Sequence, residues 1–138
     1  MTERAMSWVG RALSGIAIAF LLFDGIGKVA RVPQVVAATI ELGYPDGSLV
    51  TIGALVLLCT LVYACPRTSV VGAVLLTGFL GGAVATNLRV GNPTFTHVLF
   101  PVYLGGFVWT GLLLRIASAR ALLVSTLTRR AEAQPSRR

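Results

Sequence analysis

The chain has 138 residues, 55% of them hydrophobic and 12% charged, with a formal net charge of +7. That balance is too apolar for a water-soluble domain, and the length accommodates one compact membrane domain rather than two. The positive charge does not point to nucleic acid: half of the twelve Lys and Arg lie at or beyond Arg115, a distribution that suits membrane topology and an anionic lipid surface.

Arg4 and Arg11 precede the first apolar run, as in a signal peptide. Asp24, Gly25, Gly27 and Lys28 follow it, however, where a small-residue cleavage site would stand. A retained spanning helix over about residues 8–30 is therefore expected. Asp24 and Lys28 are four apart and share one helix face. An acid one turn inside the membrane boundary is expensive unless it is paired or used. Pro33 starts and Gly43 stops the next segment, in which Val35, Val36, Thr39 and Ile40 recur at helical spacing. This predicts a short helix lying in the interface, with Glu41 near its end and a turn at Tyr44-Pro45-Asp46-Gly47.

A second span is expected over 49–65, ended by Pro66. The link Pro66-Arg67-Thr68 is so short that the third span, 68–89, must be its antiparallel neighbour. Twenty-one uncharged residues separate Arg67 from Arg89, which at about 1.5 Å per residue matches a bilayer's hydrocarbon core. Gly78 and Gly82 form a GxxxG there, extended by Thr86, with Ala85 on the same side. Such a stripe predicts a packing face where neighbouring backbones approach closely, within the bundle or between copies. Arg89 continues the stripe, and Asn87 points almost the opposite way. A fourth span is expected over 97–115, with Pro101 in its first turns. Residues 116–127 suit a helix on the membrane surface that completes a membrane domain over 1–128, and 129–138 suit a disordered basic tail in the cytoplasm. The fold class expected is an all-α membrane protein, an antiparallel four-transmembrane-helix bundle with a short interfacial helix between helices 1 and 2.

Cys59 and Cys65 form no CxxC, and His97 is the single histidine. No metal site is expected, and both thiols are read as buried and inert. Nine Lys and Arg lie on the side of the termini and the 2–3 turn, against Lys28, Arg31 and Arg89 on the other. The positive-inside rule then places both termini in the cytoplasm.

With that orientation Asp24, Lys28, Glu41, Tyr44, Asn87, Arg89 and His97 all fall at the outer helix ends or in the outer loops. Asp24, Lys28, Glu41 and His97 are the candidates for acid–base chemistry, because partial desolvation raises carboxyl pKa values unless a cation holds them ionised. Tyr44, Asn87, Arg89 and Tyr103 are candidates for ligand binding. The alternative is a set of salt bridges, Asp24 with Lys28 or Arg89, that pins the bundle while long side chains snorkel to water.

The blocks FLLFDGIGKV, ELGYP, PRTSVVGAVLLTGFLGGAVATNLRVGNP and HVLFPVYLGGFVWTGLLLR resemble, in that order, the DoxX-like family of small bacterial four-helix membrane proteins. The resemblance covers about Ala12 to Arg115. It implies a bacterial cytoplasmic (inner) membrane protein. The family takes its name from a subunit of a thiosulfate:quinone oxidoreductase, so the resemblance also implies a redox setting with a quinone as the lipophile. The relatives it most resembles tend to carry His where Asn87 stands, which leaves this chain without that ionisable group at that position.

Two functional classes stay open. One is a binding or accessory subunit that holds a quinone or similar lipophile, has membrane lipids around it, and docks on a redox partner subunit or on its own copies. It would carry no covalently bound cofactor, and no haem or iron–sulfur ligand set is present. The other is a membrane-embedded enzyme doing isomerisation, cyclisation or epoxide opening on a lipophilic substrate. A purely structural membrane protein is the remaining alternative.

Overall fold

In the computed structural model, which describes residues 2–117, 121, 124 and 125, the described residues form five α-helices. They are α1 (Glu3–Val29), α2 (Pro33–Glu41), α3 (Leu49–Ala64), α4 (Ser69–Arg89) and α5 (Phe100–Arg115). A 3-10 turn at Asp46–Ser48 leads into α3, and a π-helical turn at Thr94–Val98 leads into α5. Most of the expected surface helix, 116–127, and all of the tail, 129–138, lie outside the described residues. Among the described residues, four helical stretches are long and apolar enough to cross a membrane: 3–29, 46–64, 69–89 and 94–115.

α1 starts at Glu3 rather than near Trp8 because the Thr2 hydroxyl accepts the Ala5 N–H at 3.3 Å, and Glu3 sits in the positive first turn. α2 begins at Pro33 and stops before Gly43, as its sequence predicts. His97 sits in the π-helical turn ahead of α5, and Pro101 is tolerated at the start of that helix, where no intrahelical donor is needed.

The spanning helices form a closed ring. α1 packs on α3 and α5, and α4 completes the ring against the same two. Ala17, Leu21, Val56, Ala73, Leu76, Val108 and Leu112 fill its centre. Outward positions such as Ile16, Phe23, Leu58, Leu61 and Val74 stay exposed, as expected where lipid is the solvent.

Lipid gives helices no hydrophobic reason to associate, so close backbone approach decides the contacts. A Cβ on Gly111 would lie 2.8 Å from the Ser14 nitrogen, and one on Gly10 would lie 2.7 Å from the Arg115 nitrogen. These glycines set the α1–α5 crossing near the termini. A Cβ on Gly53 would lie 2.9 Å from the Gly25 carbonyl oxygen, which sets the α1–α3 crossing near α2. On Gly72 it would overlap the Tyr63 backbone, which sets the α3–α4 turn.

The Gly78/Gly82 stripe was expected to be such a face and is not one within the chain. A Cβ on Gly78, Gly81 or Gly82 would meet nothing within 4 Å. α4 turns Ala73, Leu76 and Leu80 into the core instead, because these larger residues fill the space between four helices while the glycine side is left open.

Tyr63, fully buried, ties the terminal end together. Its hydroxyl donates to the Val108 carbonyl at 2.7 Å. That uses its only proton, so Ser14 Oγ is the donor in the 2.9 Å bond between them. The Arg115 guanidinium lies 4.9 Å from the Tyr63 ring centroid and donates to its carbonyl at 3.1 Å.

The cysteines depart from expectation. Cys59 is half-buried, and Cys65 is exposed at the end of α3. There the backbone N–H of Arg67 and then the Thr68 side chain hold the Cys65 thiol below the usual thiol range. Pro66 stops the helix and leaves its last side chain outside the bundle.

Candidate functional site

At the end of the bundle away from the termini, α1, α2 and α4 each finish with a residue of positive φ: Arg31 at 55°, Gly43 at 83° and Gly91 at 75°. Each is followed by a bond back into its helix: Val32 N–H to Gly27 O at 2.9 Å, Tyr44 N–H to Thr39 O at 3.4 Å, and Asn92 N–H to Asn87 O at 3.1 Å. This is the Schellman closure, and it folds three connections back over the bundle end. Glycine takes such a φ freely. Arg31 does so at about 1–2 kcal/mol, offset in part by two guanidinium bonds to Asp46 at 2.7 and 2.6 Å.

Beneath this cover lies a cavity of about 620 Å³, inside the range of about 300–1,000 Å³ typical of small-molecule sites. Its deep part is apolar, formed by Phe20, Leu21, Ile52, Phe79, Leu80 and Leu104. Toward α2 the lining becomes polar, with Asp24, Lys28, Thr39, Tyr44, Thr86, Asn87, Thr96 and His97.

Lys28 Nζ forms a short ion pair with Asp24 Oδ1; the Lys28 side chain is 13% exposed and that of Asp24 31%. The order acid then base at i, i+4 is the favourable one, and Lys28 also sits in the negative last turn of α1. Of the two partners the sequence left open for Asp24, the structure selects Lys28. Both residues line the cavity, and among the described residues neither Asp24 Oδ2 nor Lys28 Nζ has a further hydrogen-bond partner.

Thr86 donates its proton to the Gly82 carbonyl at 2.9 Å, so the Tyr44 hydroxyl donates to Thr86 at 2.8 Å and keeps its lone pairs. Asn87 uses both ends of its amide, donating to Ala83 O at 2.9 Å and accepting from Asn92 at 2.8 Å. His97 is exposed at the rim, and its Nδ1 lies 2.8 Å from the Thr96 hydroxyl.

Of the eight residues the sequence singled out, Asp24, Lys28, Tyr44, Asn87 and His97 line this cavity, and three do not. Glu41 is exposed at the end of α2. Arg89 lies outside and donates to the Leu42 carbonyl at 3.1 Å, holding the end of α2. Tyr103 is half-exposed on the outside of α5. The aromatic and hydroxyl lining (Phe20, Phe79, Thr86, Phe100) escaped the sequence reading. One signal was available: Phe20, Asp24 and Lys28 recur every four residues on one face of α1.

Among the described residues no three His, Cys, Asp or Glu come together to hold a metal ion. Neither the curated proteins nor the solved structures contain a match to the chain. The family model described as "DoxX-like family" matches residues 12–111. This match runs from the first helix almost to the end of the last and takes in every residue of the cavity wall, so the four-helix, multi-pass membrane protein described here belongs to the DoxX-like family.

Proposed function

We propose that this protein binds an uncharged lipophile in the cavity beneath α2 and serves a membrane redox system as a binding or accessory subunit. The single observation that carries the reading is the form of the cavity: about 620 Å³, apolar in its depth and polar at one end. The only formal charges among its lining residues cancel in the Asp24–Lys28 pair. A charged head would have to break that pair or leave one charge unmatched, whereas a neutral acceptor group can take a free Lys28 proton with the pair intact. A quinone carbonyl followed by an isoprenoid tail has that chemistry, in keeping with the redox setting the family name suggests. In this reading the protein lies in the bacterial cytoplasmic membrane with both termini inside, and the cavity draws on the outer leaflet.

A second reading has its own observation. The carboxylate of Asp24 and the imidazole of His97 line the same cavity, so the pair could perform acid–base chemistry on a bound lipophile, such as isomerisation, cyclisation or epoxide opening.

Mass spectrometry of lipophiles extracted from purified protein tests both readings. The substitution Asp24→Asn is expected to lower the retained lipophile roughly tenfold, with the fold intact. Loss of stability alone, by about 1–3 kcal/mol, with the extracted lipophile unchanged, would reduce Asp24–Lys28 to a structural clamp. Turnover of an added lipophile that disappears in both Asp24→Asn and His97→Asn would select the enzymatic reading.

A further inference from the structure

The glycines mark close helix approaches at different levels of the bundle. α1 and α5 meet most closely near the termini, at Gly10 and Gly111, and α3 and α4 meet at their shared turn, at Gly72 against Tyr63. At the other end α3 leans on α1, through Gly53 against Gly25, and no glycine of α4 beyond Gly72 has a neighbouring helix within 4 Å of its Cβ position.

The α1–α5 and α3–α4 seams are finished differently. Phe20 and Phe100 bridge the first, with ring centroids 5.0 Å apart. The second is edged by Gly78 and Gly82, which belong to the cavity wall and have no atom within 4 Å of where a Cβ would stand. At about 100° per residue, Gly82 lies on the Thr86 side of α4, about 140° from Thr77. Thr77 is the residue that receives the Trp109 N–H from α5 at 2.8 Å. The glycine edge therefore turns away from α5, toward the side where Tyr44 and α3 stand.

On the aqueous side α2 covers part of the cavity, and the exposed Thr96 and His97 form the rest of its rim. α2 lies across the cavity with Thr39 buried beneath it. It is held by Tyr44 on Thr86, by Arg89 on the Leu42 carbonyl, and by Arg31 on Asp46.

We infer that the α3–α4 seam is the ligand's way in: an uncharged lipophile dissolved in the bilayer enters sideways over Gly78 and Gly82 while α2 stays fastened. This rests on the reading of the cavity as a binding site and deepens it. The two glycines then determine which ligands enter, by the absence of side chains, and hold no helices together. A planar uncharged head with a slender tail passes such an edge, its tail lying over the glycines and its head reaching Lys28. A Cβ at either glycine meets no neighbouring helix within 4 Å, so bulk added there projects into the entrance.

The full chain in liposomes, illuminated with a decylbenzoquinone carrying a diazirine on its alkyl chain, tests this. The unsubstituted protein is expected to label at cavity residues. Gly82→Leu and Gly78→Leu are expected to lower the labelling roughly tenfold at an unchanged thermal midpoint. Gly82→Ala, a milder change into open space, is expected to slow labelling if leucine perturbs the helix. A bismaleimide cross-link between Arg31→Cys and Asp46→Cys, with Cys59 and Cys65 replaced by Ser, is expected to leave labelling intact. Full labelling and an unchanged rate in the glycine variants, or loss of labelling when α2 is locked, would overturn the lateral entrance and leave the binding reading standing. Absence of labelling in the unsubstituted protein would overturn both.

Discussion

At the residue scale, the same amino acid has opposite meanings along one helix. Gly72 is buried and its missing side chain is filled by the Tyr63 backbone, whereas Gly81 has nothing within 4 Å. Gly72→Ala must push α3 from α4 and is expected to lower stability in detergent by about 1–3 kcal/mol. Gly81→Ala is expected to leave the thermal midpoint unchanged or raise it slightly, since alanine favours the helix by about 0.5–1 kcal/mol. Thermal unfolding of the two variants side by side checks this, and equal effects would contradict the assignment of packing glycines. Asn87 belongs to the same scale. Its amide donates once, to Ala83, and accepts once, from Asn92, within the cavity wall, so it fixes the end of α4 without an exchangeable charge.

At the scale of elements, α2 is short and offers little buried surface of its own, so its position depends on its fastenings. In the Arg31–Asp46 pair one guanidinium nitrogen reaches both carboxylate oxygens; the side chains are 47% and 55% accessible, and a coupling of about 0.2–1 kcal/mol is expected. A double-mutant cycle of Arg31→Ala and Asp46→Ala measures it. The Tyr44 hydroxyl is partly buried, and Tyr44→Phe is expected to cost about 0.5–1.5 kcal/mol by removing its bond to Thr86. Hydrogen exchange in 33–44 should rise more for Tyr44→Phe than for either charge variant. The reverse order would show that the ion pair, and not the tyrosine, holds the strap.

For the whole molecule, orientation is the testable quantity. Cys65 is exposed at the α3–α4 turn, and the hydrogen bond from Arg67 that holds its thiol down enlarges the reactive thiolate fraction at neutral pH. A membrane-impermeant maleimide is therefore expected to label Cys65 in inside-out vesicles and not in intact cells. A cysteine placed by Gly47→Cys, where no atom lies within 4 Å, is expected to label from the opposite side when Cys65 is replaced by Ser. Labelling of both from one face would remove the two-sided arrangement on which the cavity's access to the outer leaflet depends.

The sequence by itself determined the four apolar spans, the short helix between the first two, and the family, because length, charge placement and glycine–proline punctuation act locally and leave their marks in a single chain. It also brought together five of the cavity residues, since each had to sit at the same end of its helix. Which face of α4 looks inward was beyond it. A GxxxG is equally consistent with a packed interface and an open edge; only the tertiary crossings, Gly53 holding α3 on α1 and Gly72 holding α3 on α4 at their turn, show that Gly78 and Gly82 stay free. The tertiary structure likewise decided that Asp24 pairs with Lys28 and that Arg89 and Glu41 stay outside the cavity, because the reach of a long polar side chain is set by what other helices place beside it.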